Sequence, residues 1–127
     1  MSEGECSEEA LYADGRAALA YLRSRADVNQ SHLVFYGWSL GAVVAIDLAA
    51  REFRPGVLVC ESPFASGEAL VQSGTLIDIT KNGQVIFDNA NEPKKFIRVQ
   101  GAGHTTVPWT MGPDAYIRAL VDFIALN

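Results

Sequence analysis

The first strong periodicity in this chain lies in "EEALYADGRAALAYLRSR", residues 8 to 25, where Leu11, Ala18, Leu19 and Leu22 recur on one side of a helix. A polar turn, "ADVNQS", follows and gives way to the strand-like "HLVFYG". From Leu40 to Arg51 the apolar positions no longer keep to one side. That segment reads as a helix that is apolar nearly all round and therefore buried. Pro55-Gly56 separates it from a second apolar run, "VLVC". "KFIRVQ", residues 95 to 100, carries the pattern of a later strand. The last helix opens at Gly112-Pro113, since proline suits a first helical turn, and sets Ile117, Leu120, Val121 and Ile124 on one face. Apolar strands joined by helices predict an α/β fold, a parallel sheet flanked by helices.

The middle of the chain supports two readings. "TLIDITKNGQVIF", residues 75 to 87, has two β-branched runs about Asn82-Gly83, a favoured hairpin turn. The other reading ends a strand over Val71 to Thr75 and begins a helix over Gly83 to Asn91. Local chemistry favours the hairpin.

Composition narrows the class without naming a chemistry. A chain of 127 residues is expected to form one domain, residues 1–127, with a sizeable core. Its 49% hydrophobic and 20% charged residues match an ordinary soluble globular protein. The net charge of −5, with basic residues scattered apart from Lys94-Lys95, argues against a nucleic-acid partner. Glu3, Glu5, Glu8 and Glu9 suit the approach to a helix N-terminus. Cys6 and Cys60, widely spaced, form neither a metal pair nor a disulfide framework, and the expectation is a reducing, cytoplasmic setting. "MSEGECSEEA" lacks the basic and apolar regions of a signal peptide, and no apolar run approaches the ~20 residues that span a bilayer.

The chemistry-bearing stretch is Gly37-Trp38-Ser39-Leu40-Gly41, a G-x-S-x-G between a strand pattern and a helix pattern. In that setting the turn is strained, and the serine hydroxyl is presented at the carboxyl end of the sheet. The N–H of Leu40, at the start of the helix, is a donor for a developing oxyanion. The plainer alternative makes Ser39 a helix N-cap. A nucleophilic serine needs a base. His32 opens the strand at the end opposite Ser39 and reads as a solvent-facing turn residue. His104, in "GAGH" after the late strand, falls at the same sheet edge as Ser39, and the order Ser then His fits a hydrolase.

"SEGECSEEALYADGRAALAYLRSR", "GWSLGAVVAIDLA", "ESPFAS" and "EPKKFIRVQGAGH" together resemble the α/β-hydrolase superfamily, closest to its small esterase- or thioesterase-like branch. The resemblance implies Ser39 as nucleophile, His104 as base and Leu40 as one oxyanion donor. It implies a truncated fold, because the first four strands, the loop with the second oxyanion donor and the cap region have no counterpart here. Its sheet order makes residues 32–36, 57–60, 71–76 and 95–100 neighbours in a parallel sheet of about four strands. It leaves 32–36 as an apolar edge open to self-association or a partner strand. The family pattern H-G-T-x-D stands here as Ser73-Gly74-Thr75-Leu76-Ile77, so the acid position holds isoleucine. Asp78, one residue on, is the first candidate acid, Glu61 the second, and the absence of any acid ranks equal with Asp78. Asp88 has little to recommend it.

Two functions follow as expectations. One is a serine hydrolase for a small-molecule ester or thioester, acting through an acyl-serine with Ser39, His104 and Asp78. The other is a remnant that folds or binds without turnover. No cofactor or metal is expected: there is no histidine cluster and no glycine-rich phosphate loop. Trp38 either lines the pocket or packs.

Overall fold

A computed structural model describes residues 7–64 and 79–126. Contacts divide the chain after Glu61 into two compact units.

The first unit begins with α1, Glu8–Ser24. Ser7 caps it: its hydroxyl accepts the Ala10 N–H at 3.1 Å, and Glu8 and Glu9 occupy the first turn, where the helix dipole favours carboxylates. A three-residue 3₁₀ turn, Gln30–His32, leads into β1, Val34–Trp38. Helix α2, Leu40–Arg51, and strand β2, Val57–Glu61, complete a strand–helix–strand unit. β1 and β2 are parallel, with Val34 against Val57 and Trp38 against Glu61.

The expected burial of α2 holds. Ala42, Val43, Ala45 and Leu48 are buried, and the helix packs on both strands and on α1. On α1 only Leu19 is buried; Ala18 and Leu22, assigned from the sequence to the same apolar face, are exposed. The reason lies in the partner surface. The two helices close most tightly at Gly15, where an added Cβ would stand 2.5 Å from Val44 Cγ1. Leu22 and Ala18 instead border an open apolar groove shared with Phe35, Tyr36 and Val44. Cys60, on β2, is shielded enough that burial pushes its thiol up to about 11.

In the second unit, α3 spans Ile79–Asn89, α4 Val107–Met111 and α5 Pro113–Ala125. The hairpin reading of 75–87 is corrected here: Asn82 and Gly83 lie inside α3. Tertiary packing overrides the local turn preference. Gly83 and Phe87 stand one helical turn apart, and the Phe96 ring rests on both, 3.4 Å from where a Gly83 Cβ would be and 5.4 Å from the Phe87 ring. Lys94 closes the helix end, donating from Nζ to the Ala90 carbonyl at 3.1 Å while lying over the Phe87 ring.

The sheet expectation is met in class and not in strand count. Two parallel strands are present among the described residues. Residues 95–100 are neither strand nor helix. Their Phe96 is used against α3, and the second unit offers them no ladder partner among its described residues. Residues 71–76 lie outside the described residues. The face of α5 carrying Ile117, Val121 and Ile124 is largely exposed, whereas Tyr116, Ala119, Leu120 and Phe123 are half-buried.

Gly15→Ala is expected to lower stability by about 1 kcal/mol or more, overpacking against the stiff Val44 exceeding the gain in helix propensity. Urea denaturation measures this; an unchanged or raised midpoint would mean that the helices do not approach so closely.

Candidate active site

At the junction of β1 and α2 the backbone turns through Ser39, at φ 55 and ψ −120. Side chains other than glycine's rarely occupy this region, and holding one there costs about 1–3 kcal/mol. Two backbone bonds hold it: the Ser39 N–H donates to the Glu61 carbonyl at 2.9 Å, and the Ser39 carbonyl accepts the Ala42 N–H at 3.1 Å. The first bond ties the turn to β2, and the second ties it to α2.

Gly37 explains why the turn can be so tight. It is buried, and an added Cβ would lie 2.4 Å from Ala42 Cα and 2.6 Å from both Ala42 N and Gly41 O. These are backbone atoms with no freedom to retreat. Gly41 differs, because nothing among the described residues lies within 4 Å of its would-be Cβ. Of the two motif glycines, only the first is required by space among the described residues.

The N-cap alternative for Ser39 fails, since its side chain makes no capping bond to α2. The hydroxyl therefore stands at a helix N-terminus without serving that helix. Leu40 is the first residue of α2, and the first N–H groups of a helix have no intrahelical acceptor. With the partial positive charge of the helix end, they favour negative charge developing beside Ser39.

Glu61, the second candidate acid, ends β2 opposite Trp38. Its Oε2 accepts a hydrogen bond from the Tyr36 hydroxyl at 2.5 Å. The sequence reading missed Tyr36. The signal exists only in the register, because Tyr36 faces Val59 and Glu61 lies two residues on, with its side chain on the same sheet face. Trp38 is 45% exposed, so it does not pack into the core.

His104, in the second unit, is half-buried, with its ring 5.5 Å from that of buried Phe64. A closed turn holds it. The Gly103 N–H donates to Thr106 Oγ1 at 2.8 Å, and the Thr106 N–H donates to the Gly103 carbonyl at 3.2 Å. Thr106, also missed, thus clasps both ends of the histidine loop. His32 is exposed in the 3₁₀ turn before β1, with Nδ1 3.1 Å from Ser31 Oγ. Asp88 is exposed on α3 and accepts from Gln84 Nε2 at 2.8 Å. Asp78, and with it Ile77, lies outside the described residues. Among the described residues no cluster of three or more His, Cys, Asp or Glu could hold a metal ion, and no helix is long and apolar enough to cross a membrane.

Comparison with known proteins gives this geometry a setting. Over 155 aligned positions, 98% of this chain, it is 30% identical to alpha/beta hydrolase domain-containing protein 17B of Xenopus laevis, 52% of which is covered. The human protein of that name is 29% identical over 84% of this chain and 47% of its own length. Alpha/beta hydrolase domain-containing protein aho-3 of Caenorhabditis elegans is 42% identical over 58% of this chain and 22% of its own. The chain spans about half the length of the first two and less of the third. No protein-family model matches it, and no solved structure does.

Gly37→Ala is expected to cost ~3 kcal/mol or more, because α2 must move off the strand, whereas Gly41→Ala is expected to stabilise by up to about 1 kcal/mol. Equal losses in a denaturant titration would contradict the packing described. Thr106→Val is expected to speed exchange of the Gly103 amide about tenfold, through loss of one hydrogen bond, while Thr106→Ser preserves the protection. Amide exchange followed by NMR decides between them.

Proposed function

We propose, from the premise that this chain is related to the α/β-hydrolase superfamily, that it is a serine hydrolase acting on an ester or thioester of a small molecule. The observation that carries this reading is the backbone of Ser39: a non-glycine residue at φ 55 between a strand and a helix, its side chain not used as a cap. Strain of that kind is characteristic of a nucleophile's turn.

In the proposed reaction Ser39 Oγ attacks the acyl carbon, and its proton passes to the His104 imidazole. The carbonyl oxygen becomes an oxyanion beside the Leu40 N–H. Collapse breaks the bond from the acyl carbon to the alcohol or thiol, which leaves with the proton from His104. Water, deprotonated by the same histidine, then releases the acid and restores Ser39. As the carboxylate that orients the imidazole, Asp78 ranks first and Glu61 second, and a reaction without any orienting acid ranks equal with Asp78. The second reading, a fold retained for binding without turnover, draws on isoleucine at position 77, where the family pattern would hold its acid.

A fluorophosphonate probe tests the proposal, since it phosphonylates an activated serine and displaces fluoride. The protein is expected to label, Ser39→Ala to abolish labelling, and His104→Ala to slow it about 10²-fold or more. A folded protein that stays unlabelled, or labels equally in Ser39→Ala, favours the binding reading.

A further inference from the structure

We propose that the exposed face of α5 is a pairing surface for a second copy of this chain, the two helices packing antiparallel. Ile117 is 57% exposed, Val121 55% and Ile124 36%, and their spacing of four and then three residues makes one stripe along the helix. The opposite side, Tyr116, Ala119 and Phe123, is half-buried, and no residue of α5 is fully buried. The helix is thus apolar on two sides, and its own unit uses one of them. A large aliphatic stripe left in water marks an interaction surface more often than a scatter of single residues does.

The charges beside the stripe select the occupant. Arg118 and Asp122 lie one turn apart on the same flank, both exposed, and neither forms an ion pair among the described residues. In an antiparallel pair related by a two-fold axis at the level of Leu120, each Arg118 stands opposite the Asp122 of the other copy. The stripe residues of the two copies then alternate in height and interleave. A parallel pair would turn the two flanks to opposite sides of the seam, so that neither Arg118 nor Asp122 would meet its opposite charge across it. An anionic membrane is a poor alternative, because the same flank carries Asp114 and the chain has a net charge of −5. One short helix pair buries far less than the ~1,600 Å² of a standard interface, so the association is weak and concentration-dependent.

Sedimentation velocity of the 127-residue chain over a concentration series tests this. The weight-average mass is expected to rise towards a dimer at high concentration. Val121→Asp is expected to abolish the rise. Arg118→Asp and Asp122→Arg are each expected to weaken association about tenfold, by placing like charges opposite each other, and the double variant to restore it within about twofold. All three substitutions fall on exposed positions, and circular dichroism confirms that each variant is folded. A monomer at every concentration overturns the proposal. So does a dimer that survives Val121→Asp, which would place the contact elsewhere, for example at β1. A double variant as weak as the single ones overturns the antiparallel arrangement.

Discussion

The backbone of Gly37 passes so close to the first turn of α2 that a single methyl group there would overlap main-chain atoms. The rest of the described site follows from that approach. A strand and a helix brought this near can be joined by one residue only, and that residue is forced to a positive φ. The serine bears the strain, and the buried face of α2 offsets it. Four buried side chains of modest size are worth several kcal/mol against a cost of about 1–3. The hydroxyl is then presented by geometry, at the end of a helix whose unpaired N–H groups favour negative charge. The hydrogen bond from the Ser39 N–H to the Glu61 carbonyl extends the same constraint to β2. Loosening the contact at Gly37 would therefore disturb the turn, the helix start and the strand pair at once.

Parts of this were legible in the residues because they depend on short stretches. The elbow is five consecutive positions, and its context, an apolar strand before and an alanine-rich helix after, was visible in Val34–Trp38 and Leu40–Arg51. The buried character of α2 was legible for the same reason. Where side chains distant in sequence decide, local pattern fails. Asn82-Gly83 is sound turn chemistry, yet Phe96 packs across Gly83 and Phe87, and the segment is helical. The strand pattern of 95–100 needed a ladder neighbour and instead contributes its phenylalanine to α3. The apolar stripe of α5 was visible as a stripe, but periodicity does not say which side of a doubly apolar helix its own unit will cover.

The site shows the same division. The tight turn at Ser39 and the helix start at Leu40 could be placed from sequence because the motif carries its own geometry. The clasp on His104 could not, because Thr106 acts through a hydroxyl whose partner, the Gly103 N–H, is visible only once the loop has closed. Tyr36 required the parallel register before it could be set beside Glu61. None of these polar contacts has a sequence signature beyond the presence of a donor.

The Tyr36–Glu61 bond also ties the two strands together at the sheet end nearest Ser39. The phenol donates to Glu61 Oε2 and fixes the carboxylate against the sheet at the end of β2. Such a carboxylate already serves the sheet, holding the ends of β1 and β2 together one residue before the strained serine. The bond to Tyr36 thus gives Glu61 a place in the sheet that stands whether or not it takes part in any chemistry.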